Sequence, residues 1–104
     1  MSGREILDQI KPRLARVFGA RFQGVVLYGS TARGDAGPDS DIDILVLLAS
    51  PVQLWPDIRT AVRAVYPLSL RWGRPISPKP VDLRQFEAGD CPLYRVVQVE
   101  GIRL

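Results

Sequence analysis

A chain of 104 residues, 46% apolar and 24% charged with a formal charge of +3, has the composition of one globular domain rather than a disordered tail. Histidine is absent and Cys91 is the only cysteine, which argues against Ser-His or Cys-His nucleophile systems, zinc clusters and an internal disulfide. No apolar run approaches the roughly 20 residues of a membrane span and the polar start Met1–Glu5 lacks a secretory layout, so no membrane association is expected and a reducing cytoplasm is the expected compartment. The arginines are spread along the chain from Arg4 to Arg103, not gathered in a stripe, which reads as a solvated surface and makes a nucleic-acid partner an unfavoured expectation.

Taken in chain order, Ile6, Leu7, Ile10, Leu14, Val17 and Phe18 recur at helical spacing and predict an amphipathic helix from Arg4 to Phe18. Pro12 either kinks it or marks its first turn, and Gly19 ends it. Val25–Tyr28 is a short apolar run, read as a buried strand that ends at Gly29. A short helix opens at Ser30, and Asp35–Asp39 forms a loop. Asp41–Leu48 is the second strand, apolar on both faces apart from its aspartates. Ser50 and Pro51 read as cap and first position of a helix carrying Leu54, Ile58, Val62 and Val65 and ending before Pro67, while Pro56 leaves its exact start open. The prolines at 67, 75, 78 and 80 leave room only for an edge strand or irregular chain between Leu68 and Pro80. Leu93, Val96 and Val97 mark a last short helix stopped at Gly101, and Ile102–Leu104 adds a final strand. Strands alternating with helices predict an α/β (α+β) fold, a small mixed sheet packed by helices, with all 104 residues in one domain.

The chemistry sits in Gly29-Ser30-Thr31-Ala32-Arg33-Gly34 and in Asp41-Ile42-Asp43. A glycine-serine turn after a strand offers backbone N–H groups and a hydroxyl to a phosphate. Asp41 and Asp43 are two positions apart, so they leave the same face of a strand. Burying two like charges there is costly without a counter-ion, and carboxylates beside a phosphate cradle suit a Mg²⁺-nucleotide site. Arg33 either touches a phosphate or braces the loop against Asp35, Asp39 or the strand carboxylates. Asp35 and Asp39 themselves read as turn residues.

At this point the chain resembles a known family. GSTARGDAGPDSDIDILV is similar to the signature of the polymerase-beta-like nucleotidyltransferases, in which Gly-Ser is followed about ten residues on by Asp-x-Asp, and the minimal prokaryotic members are the nearest in size. The resemblance implies that Gly29 and Ser30 hold a nucleoside triphosphate such as ATP, that Asp41 and Asp43 bind Mg²⁺, and that a nucleoside monophosphate moves to an acceptor hydroxyl with release of pyrophosphate. The family pattern has a third carboxylate on a later strand. Asp82, in Val81-Asp82-Leu83, suits that catalytic role, but Asp82-Leu83-Arg84-Gln85 also reads as a helix cap. If the strand is Pro75–Lys79 instead, the third position falls near Ser77. A lone catalytic domain takes its acceptor platform from a partner or from self-association. The resemblance implies a small helical toxin of the HEPN ribonuclease class, with this chain as its antitoxin. The alternatives are a catalytically weak antitoxin acting by complex formation, and nucleotidyl transfer to RNA.

Overall fold

The computed structural model describes residues 1–104. Helix α1 (Gly3–Phe18) is opened by a reciprocal cap in which the Ser2 hydroxyl accepts the Glu5 N–H and the Glu5 carboxylate accepts the Ser2 N–H. Pro12 lies inside α1 without ending it, because Ile6, Leu7, Ile10, Leu14 and Phe18 bury one continuous face. Each such side chain contributes about 1.5–3 kcal/mol on burial, comparable to the local proline penalty of about 3 kcal/mol. A single 3₁₀ turn, Gly19–Arg21, leads into β1 (Phe22–Tyr28). The short α2 (Ser30–Arg33) follows at once, and β2 (Ile42–Leu48) runs back antiparallel to β1.

Two sequence expectations for α3 need correction. The helix spans Leu54–Trp72, so it starts later than Ser50-Pro51 and continues past Pro67. At its start, the Asp57 carboxylate accepts the Gln53 N–H at 3.0 Å, and an Arg21 guanidinium N–H holds the Pro51 carbonyl at 2.9 Å. Those bonds keep residues 51–53 out of the helix. At its end, Leu68 is buried beside Ala61 and Val65, and this packing carries the helix through Pro67 to Gly73.

β3 (Ile76–Asp82) pairs parallel with β2 and forms one edge of the sheet. Pro78 and Pro80 are two apart, so both missing N–H groups fall on one side of the strand, which an edge tolerates. α4 (Leu83–Ala88) and α5 (Pro92–Glu100) follow, and β4 (Ile102–Arg103) closes the other edge against β1. The strand order is β3-β2-β1-β4. This is the expected mixed sheet with packed helices.

The sheet separates two apolar clusters. Val25, Leu27, Ile42, Ile44, Val46 and Leu48 face α1 and α3 in the larger one. Val26, Leu45, Leu47 and Val81 face Phe86 of α4 and Val97 of α5 in the smaller. By the period-2 alternation of a strand, Asp43 therefore belongs to the α4/α5 face. No helix is long and apolar enough to cross a membrane.

Candidate active site

The site forms where β1 ends and β2 begins. Tyr28 and Asp43 are opposed in the β1–β2 register, so Gly29, next after Tyr28, lies over the Asp43 side chain. Gly29 has φ +76°, and a Cβ added there would sit 2.7 Å from Asp43 Oδ2. Glycine is needed for both reasons: the backbone is left-handed, and the carboxylate occupies the side-chain space. Asp43 is half-buried and Asp41, one residue before β2, is exposed. Burial first, and the Asp41 charge second, push the Asp43 carboxyl above the ordinary carboxylate range. Burial and then the Asp43 charge likewise raise the Tyr28 phenol.

The ion pairs of the chain join Arg21 to Asp57 and Arg33 to Asp35 and Glu100; neither Asp41 nor Asp43 is among them. Two neighbouring carboxylates, one of them half-buried against backbone, thus lack a compensating cation from the chain. That arrangement fits a divalent ion. No third His, Cys, Asp or Glu joins them, so phosphate oxygens and water would complete the coordination of a bound Mg²⁺.

Ser30 opens α2, and the first-turn N–H groups of a helix have no acceptor within it. The Arg33 guanidinium lies 3.4 Å from Asp35 and 3.8 Å from Glu100, bracing the loop and the end of α5 instead of the strand carboxylates. Arg74 is a residue the sequence reading missed. Its Nε donates to the Ser40 carbonyl at 2.9 Å and its Nη2 to the Thr31 hydroxyl at 2.8 Å. Thr31 in turn donates to the Asp41 carbonyl at 3.4 Å. One side chain thereby ties the Gly-Ser turn to the segment entering β2. Its partners lie 34 and 43 residues away, and no local pattern signals them.

The structure does not bring Asp82 to this site. The β2–β3 register pairs Asp43 with Ser77 and Leu48 with Asp82, so Asp82 is five positions, about 16 Å, farther along the strand. The odd offset also turns it to the opposite face. Its Oδ1 accepts the Arg84 N–H at 2.8 Å and its Oδ2 accepts the Ser50 hydroxyl, so it caps α4. The Ser50 bond first, then the Arg84 N–H, holds its carboxyl below the usual range, opposite to what a general base near neutrality needs. The β3 position beside Asp43 is Ser77.

The profile of the nucleotidyltransferase domain family matches residues 7–102, and the chain belongs to that family. A Methanocaldococcus jannaschii protein, MJ0141, a putative protein adenylyltransferase by name, is 36% identical over 44 residues, which cover 42% of this chain and 44% of that protein. The matched stretch thus spans under half the length of that relative. Two solved structures share the fold. One, a toxin–antitoxin with AMP-PNP, superposes with a TM-score of 0.58 at 22% identity, covering 92% of this chain and 70% of its own. The other, a mutant form of the toxin–antitoxin MntA–HpeT, gives a TM-score of 0.58 at 23% identity over 93% of this chain and 70% of its own.

Proposed function

We propose that the chain is a single-domain, Mg²⁺-dependent nucleotidyltransferase that moves AMP from ATP to a hydroxyl of a partner protein, the toxin of a HEPN-type pair in which it is the antitoxin. The observation that carries this reading is the Asp41–Asp43 carboxylate pair, without a cation from the chain, set against the Gly29–Ser30 turn. The family match supports nucleotidyl transfer. The name of the M. jannaschii relative favours a protein acceptor and AMP, and the toxin–antitoxin setting of both fold neighbours favours a toxin.

In this reading Asp41 and Asp43 hold the ion, while the Ser30 hydroxyl and the turn N–H groups hold phosphate oxygens. When bound, Mg²⁺ withdraws charge from the phosphates and supports in-line displacement. Gly29, having no Cβ, lets the turn close over Asp43 and sets its phosphate-binding groups beside the ion, and Arg33 is near enough to the turn to add a cation. The acceptor oxygen bonds to the α-phosphorus, the bond from that phosphorus to the bridging oxygen breaks, and pyrophosphate leaves. The hydroxyl proton passes to water, since Ser77 offers no carboxylate beside Asp43.

The same serine favours a second reading, an antitoxin that acts by complex formation with little or no transfer. Labelled ATP, Mg²⁺ and the product of the neighbouring gene separate the two. Transfer predicts labelling of that product and a loss of at least ~100-fold in the Asp41→Asn/Asp43→Asn protein. Labelling that survives the double substitution sinks the metal site. Full growth protection by the unlabelling double variant establishes the second reading instead.

A further inference from the structure

The outer face of α3 carries Trp55, Val62, Tyr66 and Leu70, at 66%, 38%, 55% and 65% exposure. Their spacings of seven, four and four place them on one side of the helix, away from the face that buries Ala61, Val65 and Leu68. A surface helix ordinarily sets charged and polar residues there. The charged residues in and along this stripe are cationic. Arg59 sits within the stripe, one turn after Trp55 and three residues before Val62, Arg63 borders it, and Arg13 and Arg16 of α1 join Arg63 around a groove of about 220 Å³ between the helices. None of these four arginines is in an ion pair. The only carboxylate of α3 is Asp57, buried and held by Arg21, and α1 has none after Asp8.

We infer that this face docks an acidic amphipathic helix of a separate protein, its apolar side over Trp55, Val62, Tyr66 and Leu70 and its carboxylates over Arg59, Arg63, Arg13 and Arg16. A second copy of the chain is disfavoured by its own charge, since a two-fold contact would set the arginine row against itself. A nucleic acid would use the arginines and could stack on Trp55 and Tyr66, but has no use for Val62 and Leu70. The stripe runs about 22 Å, the length of a helix of four turns. It lies in the layer opposite Asp43, so this docking stands independently of the transfer reading.

Trp55 is its own reporter. The probe is a designed helix of about 18–21 residues, leucine on one face and glutamate on both flanks, with a lysine-flanked peptide of the same leucine pattern as control. The glutamate peptide should shift Trp55 emission to the blue, an effect absent in Trp55→Phe, and added salt should weaken binding. Arg59→Glu/Arg63→Glu, exposed and checked for folding by circular dichroism, should weaken it at least ~10-fold. The Asp41→Asn/Asp43→Asn protein should bind as the parent does, whatever becomes of transfer. Equal binding of both peptides, or of neither, overturns the inference. So does a stronger Trp55 response to a single-stranded RNA, which would make this a nucleic-acid face, or a dimer in sedimentation that Tyr66→Arg disperses, which would make it a self-contact.

Discussion

Asp82 and Asp43 show how little a residue type says without its register. Both are aspartates in apolar surroundings, and both sit on strands of one sheet. Asp43 meets Gly29 and Tyr28 at one end of the sheet, whereas Asp82 meets Ser50 and the first turn of α4 at the other. Asparagine caps a helix as well as aspartate, so Asp82→Asn should leave turnover and melting temperature near those of the parent. Asp82→Ala should lower the melting temperature with turnover at the permissive temperature intact. A fall in turnover with Asp82→Asn at unchanged melting temperature would return Asp82 to the chemistry. The Gly-Ser and Asp-x-Asp segments stood out in the sequence because each is a compact local pattern, and the β1–β2 register brings Gly29 against Asp43. The third position did not stand out, because it depends on which residue of β3 pairs with Asp43, and alternating prolines conceal that strand's phase.

Elements were legible where an apolar period ran uninterrupted, as in α1, β1 and β2, and were misplaced where tertiary contacts overrode a local signal. Pro67 reads as a stop, yet burial of Leu68 takes α3 another turn to Trp72 and Gly73. That extra turn has a consequence for the site, because it delivers Arg74 to the loop beside Thr31 and Ser40. Arg74 spends its hydrogen bonds on Ser40 and Thr31 and forms no ion pair with Asp43, so it is a positioning residue. Arg74→Ala should free the segment entering β2 and lower transfer by up to ~100-fold, the effect of a misplacement of about 1 Å. Lysine cannot span both acceptors as a guanidinium does, so Arg74→Lys should recover folding without recovering the full rate. Steady-state kinetics at saturating ATP, compared with ATP affinity by calorimetry, checks this. A variant with lower melting temperature and unchanged kinetics would reduce Arg74 to a structural brace.

On the scale of the whole molecule, one half-buried ion pair joins parts that the sheet leaves apart. Arg21, just before β1, reaches Asp57 in the first turn of α3 with bonds of 3.0 and 2.8 Å across 36 positions. Asp57 is the one buried charged residue, and it also accepts the Gln53 N–H. The Arg21 bond, outweighing burial and helped by Gln53, holds the Asp57 carboxyl below its usual value of 3.8. A carboxyl depressed on folding stabilises the folded state fully at pH values above the unfolded pKa, and that contribution fades as pH falls through the folded value. Asp57→Asn should therefore cost stability at neutral pH. Because the Arg21 side chain is 38% exposed, the cost is set by charged hydrogen bonds in partly screened surroundings, about 1–3 kcal/mol, below the full penalty of breaking a buried pair. Urea unfolding of parent and variant from pH 7 down to pH 2 measures it. The gap should hold steady to about pH 4–5 and close below the usual carboxylate value, as the parent loses its charge and the variant has none to lose. A gap that persists unchanged at pH 2 would mean that the amide disturbs packing around α3 and that the charge of Asp57 contributes little.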